Sequence, residues 1–122
     1  MIRYLYAGLL SVALCGAVCA EEEQLEGEPL AQKSNCMACH KVEARVVGPS
    51  YKDVSKKYLT QIREAEDQAA EEASVKDYLF SKVKKGGAGV WGQVPMPANV
   101  HVKDEDITRL VDWVLSLAAE KP

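Results

Sequence analysis

Cys36-Met37-Ala38-Cys39-His40 places two thiols three positions apart and an imidazole directly after the second. On one helical turn, thiols at that spacing can reach the two vinyl groups along one edge of a porphyrin. The histidine is then delivered to the iron from one face. The pattern is that of c-type haem attachment. Two other chemistries use parts of it. A redox dithiol needs both cysteines but gives His40 no role. A zinc site needs a fourth ligand, and His101 is the only other histidine in the 122 residues.

Upstream, the first twenty residues are unlike the rest. Arg3 is their only charge, an apolar stretch runs from about Tyr4 to Val18, and Val18-Cys19-Ala20 leads into Glu21, Glu22 and Glu23. A short basic start, an apolar middle and a small-residue exit read as a secretory signal peptide cut after Ala20. The alternative is an uncut membrane anchor, although the uncharged run falls slightly short of the roughly 20 residues a spanning helix needs. A lipid anchor fits less well, because Leu14 and Val18 are poor residues just ahead of a lipidated Cys15 or Cys19. Export strengthens the haem reading, since covalent haem attachment takes place outside the bacterial cytoplasm, and it points to the periplasm.

Cleavage would remove Arg3, Cys15 and Cys19, taking the net charge from −3 to −4 and leaving Cys36 and Cys39 as the remaining cysteines. An acidic balance argues against nucleic acid as a partner, because phosphate binding needs a basic surface. Membrane contact is expected only if the leader stays in place. Residues 21–122 suffice for one small domain with a modest core, which a large buried cofactor would extend.

Downstream, the chain reads as helices and irregular loops. Residues 21–28 are acidic and expected to fray. Pro29 suits a first helical turn, and Leu30 to Asn35 can continue it. Val46-Val47-Gly48-Pro49 is a turn. Tyr51 to Tyr58 reads as a short helix, and residues 59–84 as a longer helical region that Gly86-Gly87-Ala88-Gly89 stops. Residues 90–102 hold Pro95 and Pro97 and should be an irregular loop. In the last helix Ile107, Leu110, Val111, Val114 and Leu115 recur at helical spacing, with acids at 104–106 favouring its N-terminus. No stretch alternates for long, so no sheet is expected.

An iron held by His40 has a sixth position to fill. After cleavage the chain offers Met37, Met96 and His101. Met37 lies inside the attachment turn, on the His40 side, and cannot cross to the other face. A lone methionine usually packs in a core, but Met96 sits in Val94-Pro95-Met96-Pro97, where prolines on both sides stiffen the loop. It is the favoured ligand, with His101 as the competitor. A His/Met pair raises the reduction potential.

The chain resembles the small bacterial class I cytochromes c, soluble periplasmic carriers of denitrifying and ammonia-oxidising bacteria. The matching stretches are Asn35 to His40, Val46 to Pro49 with Tyr51 to Val54, Gly89 to Asn99, and Asp112 to Leu115. The resemblance implies an all-α fold of three to five helices round one haem, with the first and last helices crossing. It implies thioethers at Cys36 and Cys39, with His40 and Met96 on the iron. It suggests that the Pro49 carbonyl accepts the other ring N–H of His40, that Trp91 supports a haem propionate, and that Asn99 lies near the Met96 sulfur. It implies transient encounters with periplasmic donor and acceptor proteins by a monomeric carrier.

Residues 59–77 depart from the compact members, which have a shorter link here. The segment carries Glu64, Glu66, Asp67, Glu71, Glu72 and Asp77 against Arg63 and Lys76. It reads as an acidic helical insertion, either a solvated face or a docking surface. The functional expectation is an electron carrier and not an enzyme. The runner-up is a haem sensor, a small-ligand-binding domain or a peroxidase-like enzyme, each of which needs an iron site that opens.

Overall fold

The computed structural model describes residues 24–119, so the leader and its cleavage point lie outside the described residues. Helix α1 spans Gly27–Lys33, with Glu28 in its first turn and Lys33 in its last, a charge order that complements the helix dipole. It stops because Asn35 turns left-handed, at φ 62°, a conformation that asparagine tolerates better than most residues. That turn starts a 3-10 turn over Cys36–Ala38, in which His40 N–H reaches back to the Cys36 carbonyl at 3.0 Å. The attachment residues therefore sit on a tight turn at the end of α1.

Helix α2 spans Tyr51–Glu64 and is capped by Ser50, whose hydroxyl accepts from Asp53 N–H at 3.1 Å. Tyr51, Val54, Ser55, Tyr58 and Ile62 are buried, steps of three and four that place them on one face. Helix α3 spans Gln68–Lys85 and buries Val75 and Leu79. The sequence predicts a boundary near residue 58, but α2 runs on to Glu64 and the break falls at Ala65–Asp67. Ala65 is extended (φ −74°, ψ 146°), and the Asp67 carboxylate accepts from Ala70 N–H at 3.0 Å. Aspartate is a strong N-cap, so one side chain starts a second helix inside a run whose composition favours helix throughout. The acidic insertion is thus the end of α2, a corner and the start of α3.

Helix α4 spans Asp104–Ser116 and buries Ile107, Leu110, Val111, Val114 and Leu115. It is the hub, since α1, α2 and α3 all pack against it. Ser55, fully buried, ties α2 to the end of α4. Its hydroxyl donates to Leu115 O at 2.9 Å and accepts from Ala118 N–H at 3.0 Å, which satisfies one of the carbonyls that a helix end leaves unpaired. A net contribution of about 1 kcal/mol is typical of such a bond. Among the described residues there is no strand. Two isolated bridges occur, His40 with Arg45 and Gly87 with Met96, and both belong to the loops that form the site.

Candidate functional site

Helices α2, α3 and α4, with two loop segments, leave a cleft that opens to solvent. One wall is the 36–49 segment, which brings Cys36, Cys39, His40 and Pro49 to the cleft. A second is the 87–97 loop, with Trp91 and Met96. Between them stand faces of α2, α3 and α4, mostly apolar and including Val54, Leu79 and Leu110, with Lys82 of α3 among them. His101 and Asn99 do not line the cleft.

His40 is held on three sides of its chemistry. Its Nδ1 lies 2.8 Å from Pro49 O. A carbonyl can only accept, so Nδ1 donates here and Nε2 is the ring nitrogen left to face a metal. The Tyr51 ring stacks on the imidazole at 4.9 Å and 20°, and Trp113 of α4 meets Tyr51 edge-on at 5.3 Å. Gly48 makes room for the ring, because a Cβ there would sit 2.5 Å from His40 Cε1. Any side chain at 48 must displace the imidazole or the turn.

The distal loop is pinned with equal care. Gly87 N–H donates to Met96 O at 3.0 Å and Met96 N–H to Gly87 O at 2.8 Å, so both backbone groups of Met96 are used. Gly86, at φ 73°, permits this approach, since its Cβ would fall 2.2 Å from Met96 O. Asn99 closes the loop onto α3, donating through its side-chain amide to Val83 O at 3.0 Å and Pro97 O at 3.3 Å. Where the resemblance places Asn99 near the Met96 sulfur, the structure engages its amide with these two carbonyls.

Arg45 and Lys82 are the charged side chains on the lining. Burial pushes the Cys36 thiol up from its ordinary value, with a hydrogen bond to Tyr51 pulling partly back. Burial also raises the Tyr51 phenol, helped by the nearby Cys36. Burial, then the neighbouring Tyr78, pushes Tyr58 up to about 12. Tyr51 and Tyr58 are therefore neutral at any physiological pH, and a low-polarity pocket favours a planar apolar group over a hydrated one.

Several of these residues carry no flag in the sequence. Tyr51 lies in a stretch that carries the resemblance, but nothing local shows that it stacks on His40. Its spacing to Val54 and Tyr58 could have placed Tyr58 on the cleft wall. Arg45, whose Nη2 donates to Trp91 O at 2.7 Å across 46 positions, had no signal at all.

The chain is similar to known proteins in both sequence and fold. A family profile described as Cytochrome c matches residues 24–118. Cytochrome c-552 of Nitrosomonas europaea is 50% identical over 88 residues, covering 72% of this chain and 75% of that protein. Cytochrome c-551 of Allochromatium vinosum is 51% identical over 88 residues, covering 72% and 82%. The crystal structure of wild-type Nitrosomonas europaea cytochrome c552 superposes with a TM-score of 0.60 at 47% identity, covering 73% of this chain and 96% of that one.

The chain belongs to the cytochrome c family. It is a small class I cytochrome c, an all-helical electron carrier rather than an enzyme, with haem c attached through Cys36 and Cys39.

Proposed function

We propose that this carrier works in the periplasm with His40 and Met96 as the two axial ligands of its single haem. The observation that carries the assignment is the pairing of two fixed groups on one apolar cleft. His40 has Nδ1 tied to Pro49 O at 2.8 Å, and Met96 has both backbone groups bonded to Gly87. When bound, the haem supplies one-electron chemistry between ferric and ferrous iron, at a potential set by the ligands and the pocket.

The protein's own part is holding and excluding. Cys36 and Cys39 anchor the group. The Pro49 carbonyl holds the His40 ring in one tautomer and orientation, a contact that typically makes the imidazole a better ligand. Trp91 borders the cleft and is assigned to a haem propionate. Ligands held in both oxidation states keep rearrangement small. Partners are transient donor and acceptor proteins, met through contacts at the low end of interface size, below about 1,200 Å². The acidic segment acts as a solvated structural face. Its Glu72 pairs with Lys76 at 2.9 Å, Lys76 reaches Asp112 of α4 at 3.1 Å, and Gln61 bonds Glu71 at 2.5 Å.

Two measurements test this. The oxidised protein should show the near-infrared thioether–iron band, and the reduced protein should resist carbon monoxide at neutral pH. A reduced protein that takes up carbon monoxide at once favours the sensor or peroxidase-like alternative. Separately, leader cleavage after Ala20 predicts that exported protein has the mass of residues 21–122 plus one haem. A retained leader, or a haem-free mass from a haem-competent host, contradicts it.

A further inference from the structure

The distal loop is tied to itself and, through Asn99, to the end of α3. Its bonds run from Gly87 to Met96, from Gly89 N–H to Gly92 O at 2.9 Å, and from Asn99 to Val83 and Pro97. Every one of these stays within residues 83–99. The Gly87–Met96 and Gly89–Gly92 bonds lie inside the loop, so residues 87–96 can swing without breaking them, while Asn99 holds the far end to Val83 of α3.

The Arg45–Trp91 bond differs. Arg45 stands on the His40 side of the cleft, and its backbone bridges His40. Its guanidinium Nη2 donates to the Trp91 carbonyl at 2.7 Å. Among the described residues this is the one hydrogen bond that joins the 36–50 segment to the 87–99 loop. Trp91 is well placed to receive it, because the Gly89–Gly92 turn holds the carbonyl at the loop tip. An arginine suits the task, since its fork of donors can hold a carbonyl at the end of a long stem.

We infer that Arg45 is a positioning residue that latches the distal loop to the proximal wall and so keeps Met96 on the iron. The inference rests on the Met96 assignment made above. Displacing Met96 by an external ligand requires the loop to move away from the 36–50 segment, and that movement breaks the Arg45 bond. The fraction of molecules with the sixth position accessible is then set in part by this one contact. Apparent affinity for an outside ligand scales with that fraction.

The test is imidazole binding to the ferric holoprotein, followed by loss of the near-infrared band. Arg45→Met keeps the stem and removes the donors. It should raise the apparent imidazole association constant about two- to tenfold, the factor that losing one net hydrogen bond corresponds to. Without imidazole the band should persist, because the thioether bond itself is untouched. Arg45→Lys, which restores a donor, should recover part of the wild-type value. Lys41→Met, on the same segment and equally exposed, removes a charge but no cross-cleft bond and should leave the affinity unchanged.

An Arg45→Met affinity equal to wild type overturns the latch. So does an equal rise in Lys41→Met, which would make the effect one of charge alone. A wild-type ferric protein without the thioether band overturns the Met96 assignment and the latch with it. A band with unchanged imidazole binding overturns the latch only.

Discussion

Met96→Ala is expected to keep its covalent haem, lose the near-infrared band and bind carbon monoxide in the reduced state. The thioethers at Cys36 and Cys39 and the His40–Pro49 contact lie on the other wall and are untouched. The potential should fall by on the order of a hundred millivolts or more, a fraction of the ~0.8 V that axial ligands span. A thioether favours ferrous iron, whereas the water that replaces it favours ferric. Stability should fall as well. The loop loses its anchor on the iron and regains backbone freedom worth about 1–2 kcal/mol for each residue released, although the Gly87 bridge and the Asn99 bonds still restrain its stem. His101 is exposed just beyond the loop and is the competing ligand, so the variant should be compared with and without His101→Ala. If the wild-type protein lacks the band, Met96→Ala keeps the potential and His101→Ala changes the spectrum, the axial pair is His/His. The electron-carrier function would stand.

The Cys36→Ala, Cys39→Ala double variant should lose haem staining completely after denaturation. Its native-state effect should be nearly as large. With thioethers the haem cannot leave, so the cleft is filled at any dilution. Without them, filling becomes a bimolecular equilibrium, and the folded state gains only what free haem supplies by mass action. The buried core is small, and Val54, Leu79, Leu110, Val111 and Val114 serve both that core and the cleft wall. Losing the occupant therefore leaves α2, α3 and α4 short of apolar contact. Far-ultraviolet circular dichroism at submicromolar protein should show lost helix, partly restored by added haem. Either single variant should retain one thioether and stain. Persistent staining of the double variant would mean that other residues hold the haem.

Legibility in the sequence followed the range of each interaction. The attachment turn was readable because covalent chemistry demands residues within one turn of each other. Helix α4 was readable because one side of it faces the interior along its whole length, so Ile107 to Leu115 repeat at helical spacing. The α2–α3 corner was misplaced because residues 59–77 favour helix at nearly every position. The decision rests on the Asp67 cap of Ala70 N–H, a single side chain competing with a weak and uniform propensity. Around the cleft, Cys36, Cys39, His40, Pro49, Trp91 and Met96 were singled out and all line it, whereas Asn99 lies outside. The Tyr51 stack and the Arg45 bond depend on where distant segments meet after folding, and no local pattern encodes that.

The contact between α1 and α4 closes the chain into a loop of about eighty residues, with the 59–77 segment inside it. The entropy of closing a loop grows only with the logarithm of its length, so lengthening an ~80-residue loop by ~10 residues costs about 0.1 kcal/mol. The corner at Ala65–Asp67 sits between two helices that each hold their own bonds. Chain length can therefore vary at that corner with almost no penalty to ring closure, while a single inserted residue between Cys36 and His40 would break the attachment spacing altogether.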